Sequence, residues 1–355
     1  MTPFPPTVYR SLAAVLILLA LPTCRDNTES LWQDYSARLE RVTAQNFIAP
    51  DYRPEVDQNL NAANRPEALA RLSLPLLESL GLMHCRLGEL IAAHNSSLGR
   101  VAEPSELLKY QLAFIQAAPI CLIDARLESQ TKQLLTEALL QKQQDALDWF
   151  DWMLLQDSAL DKLLFIGTES LSSESPFAGL TETELALAAL VKLKTDIVKA
   201  QVGQLSWQAL DTRTLDAALA ELARSRIIAR NMRSQAVSLL WLSSLNDWLE
   251  PRLDGLLCRP GHNNQRQEIL QRILVKNFIG QIQRQLSQSR HIQRRLGDLL
   301  QQLYQGTAVE SRVAYFFAET ANKDSLNIRL DKELKRHVNW WQKLRDSCSG
   351  TAPGT

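Results

Sequence analysis

The chain has 355 residues, with 39 Lys and Arg against 39 Asp and Glu. Its formal net charge is therefore zero, which argues against the strongly basic balance of a dedicated nucleic-acid binder. Only 13 Gly and 14 Pro are spread over that length, too few for the many tight turns a β protein requires.

At the N-terminus, Arg10 is the only charged side chain before the apolar run from Ser11 to Leu21, and a small polar cluster follows. This is the three-part layout of a secretory signal. The run is too short to span a bilayer, which needs about 20 residues. Leu21 at minus three and Cys24 at plus one resemble the lipobox of bacterial lipoproteins, with Pro22 and Thr23 departing from the small residues usual there. The resemblance implies loss of residues 1–23, a diacylglycerol on Cys24 and, through Arg25 rather than Asp, sorting to an outer membrane. An ordinary cleaved signal is the next reading and a retained anchor the last. Parity favours the lipid: removing Cys24 leaves Cys85, Cys121, Cys258 and Cys348, an even set able to pair fully in an oxidising compartment. Buried unpaired cysteines acting as small hydrophobes are the other reading.

Helical periodicity runs almost throughout. Leu31, Tyr35, Leu39 and Val42 recur at steps of four and three, an apolar stripe on a first helix. Residues 48–70 lose the period and read as a loop. A second helix is predicted from about Leu76 to Ala93, closed by the turn "NSSLGR", and a third from Pro104 and Ser105, interrupted by Pro119. Leu135, Leu139, Lys142, Ala146, Trp149 and Met153 form another stripe, with one polar member. The Ser-, Gly- and acid-rich loop beginning at Gly167 ends on Thr181 and Glu184 at capping-box spacing. Long helices are predicted from Thr214 to Leu249, from Asn264 to Tyr304 with Leu274, Phe278, Ile282 and Leu286 strictly four apart, and finally along Leu326, Leu330, Leu334 and Trp341. No alternating strand pattern is evident. The expected fold is all-α, an elongated multi-helix bundle or irregular helical solenoid without a sheet. Its organisation reads as a signal peptide (1–23), an anchor with first helix and loop (24–70), a helical domain (71–348, divisible at 180/181) and a tail (349–355).

Helix lengths suggest which cysteines meet. A helix of about 40 residues after Cys258 rises roughly 60 Å, and the chain from Val309 can return that distance, setting Cys348 beside Cys258. Cys85 and Cys121 then join neighbouring helices across the "NSSLGR" turn, on arms of about 15 and 25 Å that the bend at Pro119 must reconcile.

The chemistry-bearing motifs are missing: no H-E-x-x-H, no C-x-x-C, no G-x-S-x-G and no Gly-rich phosphate loop. His84, His94, His262, His291 and His337 read as surface or hydrogen-bonded structural residues, and neither a metal nor a cofactor is expected. "ESPF" at Glu174–Phe177 resembles the Glu-Ser-x-Phe of lytic transglycosylases, which would make Glu174 a general acid, and "GLM" at Gly81–Met83 resembles a second motif of those enzymes in reversed order. Arg284, Arg290, Arg294 and Arg295, with His291 among them, could meet anionic lipid headgroups or a polyanion, or simply form a solvated face. From Asp124 to Glu184 there are 12 acidic residues against 4 basic ones, so the two regions could pack together.

The segment "CRLGELIAAHNSSLGR", with the later "LCRPG" and "NFIGQIQ", resembles a family of predicted proteobacterial lipoproteins known as domain of unknown function 3080. The resemblance spans nearly the whole mature chain and implies a bacterial envelope lipoprotein without an established activity. The expected role is thus a lipid-anchored periplasmic binding or structural protein of the cell envelope. Its partners would be the membrane, through the lipid, and an envelope protein or anionic envelope polymer. The alternative is a peptidoglycan-active enzyme working through Glu174. Within the turn, Asn95, Ser96, Ser97 and Arg100 are the candidate binding residues, because Arg can fork onto a carboxylate or phosphate. The same polar groups could instead satisfy the orphan backbone groups of two helix ends.

Overall fold

The computed structural model describes residues 27–53, 82–160, 163–259, 262–318 and 324–349. Residues 1–26, with Cys24 among them, residues 54–81 and residues 350–355 lie outside the described residues, and with them the expected signal and lipid site, most of the expected loop, the expected start of the second helix and most of the expected tail. Every regular element among the described residues is helical. α1 (Asn27–Thr43) comes first, followed by α2 (Arg86–Asn95), α3 (Pro104–Leu122), α4 (Ser129–Gln144) and α5 (Ala146–Gln156). Next are α6 (Leu180–Gln201), α7 (Leu215–Arg224) and α8 (Ile227–Leu249). α9 (Gln265–Ile273) continues through π-helical turns at Leu274–Ile282 into α10 (Gln283–Tyr304), and α11 (Glu310–Phe317) and α12 (Leu326–Ser349) complete the chain.

The helices pack as two groups joined by α6. In the first, α3 is central and touches α2, α4 and α5 through buried Leu108, Leu112, Phe114 and Ile115. α6 packs on α5, α7 and α10, and its one interior lysine, Lys194, bonds Asp151 of α5 at 2.9 Å and the carbonyls of Leu303 and Gln305 past the end of α10. The second group is a bundle of α1, α8, α12 and the long α9–α10 helix. α1 runs parallel to α8, since Thr28 meets Ser234 and Trp32 meets Ser238. It runs antiparallel to α9–α10, since Asp34 meets Asn277 and Thr28 meets Gln285. Trp32, Tyr35, Trp241 and Phe278 are all sealed in this core, and burying each ring contributes about 1.5–3 kcal/mol.

The pairing of cysteines follows the helix lengths. Cys258 lies beside Cys348, Cα–Cα 4.9 Å, where α12 returns antiparallel to α9–α10. Cys85 lies beside Cys121, Cα–Cα 6.0 Å. α3 continues through Pro119 to Leu122, because a proline so near the C-terminal end removes a single backbone bond.

Three local expectations are corrected. The helix expected from Thr214 to Leu249 is two, broken at Ser225, which takes an extended conformation while its hydroxyl bonds Thr183 Oγ1 at 2.7 Å; α7 is thereby held on α6 while α8 enters the bundle. The Thr181–Glu184 capping box does not form: α6 starts at Leu180, and Glu184 forks instead onto Arg295. The stripe of α1 is shifted, with Trp32, Tyr35 and Leu39 buried and Leu31 and Val42 at its margins. At Leu274–Ile282 the strict spacing of four has a physical counterpart: residues four apart advance about 40° round an α-helix, and the wider π turn winds back, keeping Phe278 and Ile282 inward.

Candidate functional site

Along α8, polar residues occupy the inward face: Asn231, Ser234, Gln235, Ser238 and Asn246 are each at most 2% exposed. α10 answers with Gln285, Ser289 and Gln293, four apart and likewise buried. This polar seam opens into a groove of about 600 Å³ between α8, α12 and the π segment with α10. Its floor is Gln235, Ser289 and Asn327, and its apolar walls are Ile279, Leu286, Leu330 and Leu334. At the rim, Arg290 is paired with Asp331, whereas Arg284 and Ser287 are exposed.

The floor is only partly satisfied. Gln235 Nε2 donates to Gln293 Oε1 and Asn327 Oδ1, both at 3.2 Å, Asn327 Nδ2 donates to the Phe316 carbonyl at 3.1 Å, and Ser289 Oγ donates to Asn231 Oδ1 at 2.7 Å. Gln235 Oε1, Gln293 Nε2 and Asn231 Nδ2 are buried with no protein partner among the described residues. A buried polar atom left unpaired costs about 1–3 kcal/mol, and such groups in a native protein call for a partner. Of the three residues only Gln235 lines the groove, so the acceptor it offers beneath part-apolar walls can serve a ligand that carries both a hydrogen-bond donor and hydrocarbon groups.

One turn past Leu334 lies a sealed network. Asn246 Nδ2 donates to the carbonyl and the carboxylate of Glu333, both at 2.9 Å, which turns Asn246 Oδ1 towards His337 Nδ1 at 2.8 Å. The imidazole therefore carries its proton on Nδ1, and Nε2 accepts from Tyr35 Oη at 2.8 Å and Trp341 Nε1 at 3.1 Å. Burial pulls His337 down to about 3 and pushes the Tyr35 phenol up. Glu333 also meets Arg336, which forks onto Glu250 at 2.5 and 2.6 Å; that fork lowers Glu250 and raises Arg336 further.

The turn singled out in the sequence is largely built for its own closure. Ser96 Oγ donates to the Ala93 carbonyl at 2.7 Å and accepts the Gly99 amide at 3.1 Å. A Cβ on Gly99 would lie 2.2 Å from the His94 carbonyl, so only glycine lets this turn fold back on α2. Ser97 and Arg100 are exposed and Asn95 is half-buried. Gly99, but none of Asn95, Ser96, Ser97 and Arg100, lines the neighbouring groove of about 380 Å³ between α2 and α3. There His94 stacks on Tyr110 with centroids 3.9 Å apart. Beyond that ring, Lys142 is 5% exposed, lies over Tyr110 and Phe114, and donates to Gln111 Oε1 at 2.6 Å.

Burial draws Lys142 down to about 8. At pH 7 it is charged in both folded and unfolded chains, so its desolvation weakens the fold, and stability rises only as the pH climbs from 8 towards the ordinary value near 10.4. Lys142→Met should raise stability at pH 7 by about 1–2 kcal/mol, since loss of the Gln111 bond offsets part of the relief. Urea unfolding at pH 7 and pH 10 checks this, with the gain confined to the lower pH.

The remaining sequence candidates are scattered. Glu174 is exposed on the α5–α6 loop, where its amide donates to Ser172 Oγ at 3.2 Å. Phe177 leans on His291 at 5.1 Å. Of the basic run, Arg290 and Arg295 are paired, the latter with Glu184 of the acidic region, and Arg284 and Arg294 are exposed. His84 reaches Asp124 at 3.4 Å, a pairing hidden by 40 positions of separation. No group of three or more His, Cys, Asp or Glu that could hold a metal ion occurs among the described residues, and no described helix is long and apolar enough to cross a membrane. Sequence reasoning noticed the arginines of α10 and passed over its glutamines and serines; their spacing of four, matched by the polar stripe of α8, was the available signal.

No curated protein and no solved structure matches the chain. Residues 32–351, which take in both helix groups, both cysteine pairs and the groove, match the family described as protein of unknown function (DUF3080), and the chain belongs to that family.

Proposed function

We propose that the protein is a lipid-anchored binding module of the bacterial envelope, held at the periplasmic face of an outer membrane through Cys24. The observation that carries the binding role is the polar floor of the groove between α8, α10 and α12, where Gln235 Oε1 lies buried without a protein partner. Elsewhere the seam serves the fold, with Ser234, Ser238 and Gln285 holding α1 and Asn246 holding α12, whereas Gln235 Oε1 beside the groove has no such use. The leucine walls suit a hydrocarbon or peptide side chain, and Arg284 at the rim suits a carboxylate or phosphate. An envelope protein or anionic envelope polymer offers these groups together. The signal-like N-terminus and the even set of cysteines support the compartment.

A photo-crosslinking side chain at position 283, which lines the groove beside Arg284, in cells expressing the full chain, tests the reading. A discrete adduct is expected in intact envelopes, and it should fall about tenfold when Ser287→Trp fills the groove, a loss of roughly 1.4 kcal/mol, with the melting temperature unchanged because Ser287 is exposed. No adduct, or one indifferent to Ser287→Trp, removes the groove as the site. In parallel, Cys24→Ser should release the protein from membranes, and mass spectrometry of the native form should find a diacylated N-terminal cysteine.

A further inference from the structure

The point where the chain enters the fold is unusually well pinned. Thr28, wholly buried, donates its amide to Ser170 Oγ at 3.0 Å and its hydroxyl to Ser234 Oγ at 3.1 Å, and it accepts Gln285 Nε2. Four residues separate Thr28 from Cys24, a reach of at most about 14 Å. A lipid on Cys24 therefore draws the bilayer surface close to the Ser170 loop. That place is on the flank of the molecule: α1 runs about 25 Å to one side, and α10 continues about 28 Å past Gln285 to the other.

The loop that holds Thr28 also exposes two aromatic rings, Phe165 at 51% and Phe177 at 43%. Both are attached to rigid parts. Near Phe165, the Gly167 carbonyl accepts Arg233 Nη1 at 3.2 Å, and Phe177 rests on His291. The area carries both signs: Arg230 pairs with exposed Glu169, Glu174 is exposed, and the cations Arg226, one helical turn before Arg230, and exposed Arg294, after His291, edge it. Exposed rings with cations nearby suit the interface of a phospholipid bilayer.

We infer that the surface between Phe165 and Phe177 docks on the bilayer that carries Cys24, so that the protein lies along the membrane rather than standing on one end. This rests on the lipid-anchor reading.

The test uses the full mature chain on vesicles of phosphatidylethanolamine and phosphatidylglycerol, compared by hydrogen exchange with the same chain in solution. The natural lipoprotein is measured first. In a second arm an unlipidated chain beginning at Cys24 is coupled through that thiol to a maleimide-bearing lipid, which fixes the same attachment point whatever modification the cell makes. Amides of residues 165–177 should exchange about tenfold more slowly on vesicles, and Phe165→Ser with Phe177→Ser should abolish the slowing. Residues 340–349 at the far end of the bundle should not change. Tethered protein with no slowing at 165–177, or with slowing that survives the double substitution, overturns the docking surface. Slowing in the coupled arm alongside an unmodified natural terminus retains the surface and overturns the lipid anchor instead.

Discussion

Replacing Cys258 and Cys348 together with alanine should lower the stability of the protein by about 4–5 kcal/mol. The pair closes a loop of 90 positions, and the chain-entropy relation gives about 4.6 kcal/mol for that length. Its location gives it leverage. Cys258 sits just ahead of α9 and Cys348 in the last turn of α12, so the link ties the open end of a hairpin more than 40 Å long by helix rise. Ser347 Oγ also accepts the Cys258 amide at 3.0 Å, and without the link that contact must be held by packing alone. The Cys85/Cys121 double variant closes a loop of 36 positions and should cost about 3.8 kcal/mol. Urea unfolding of both variants at neutral pH checks the order. Equal stability of the natural chain and the Cys258/Cys348 variant would refute the role assigned to the link.

Acid should unfold the bundle through His337. Its imidazole is held neutral in the fold and titrates at about 3, whereas in an unfolded chain histidine takes a proton near 6.5. The unfolded state thus binds the extra proton first. The contribution is fully present above pH 6.5 and is lost as the pH falls towards 3, at up to about 1.4 kcal/mol per unit and roughly 4–5 kcal/mol in all. A second proton on the ring meets the Trp341 indole N–H, which can only donate to Nε2, and Nδ1 is already committed to Asn246. His337→Gln should be less stable at pH 7 by about 2–3 kcal/mol, from the bonds it loses. Between pH 6.5 and 4.5 its stability should fall less steeply, by about one proton. Unfolding titrations at those pH values decide it, and parallel slopes for both proteins would sink the assignment.

The fold class was legible because each helix writes its own period. Stripes such as Leu326, Leu330 and Trp341 need only local sequence, and the cysteine partners followed from helix rise and turn positions. Long-range placement was not legible. Nothing in the Trp32–Tyr35–Leu39 stripe says that it docks on α8 and α12 rather than on its sequence neighbours, because an apolar stripe specifies a face and not a partner. The groove was hidden for a related reason. Gln235, Ser289 and Asn327 come from three helices, and each alone looks like an ordinary helical polar residue. Only α8, with polar residues stepping along a face that its leucines should own, carried a readable hint. The turn at Asn95 to Arg100 shows the converse error: its polar residues stood out locally, yet Ser96 and Gly99 are spent on closing the end of α2.

The burial of α1 in the last-made part of the chain has a consequence for biogenesis. Tyr35 meets His337 across 302 positions, so α1 leaves the ribosome at least about 15 s before the segment that covers it, at synthesis rates of roughly 5–20 residues per second. During that interval α8 and α9–α10 take the Trp32 side of α1 as they emerge, while the side that carries Tyr35 waits for α12. Closure of the bundle waits for α12, the last segment made. Truncation before α12 therefore leaves Tyr35 without its His337 and Trp341 partners, and limited proteolysis of such a fragment should begin at α1.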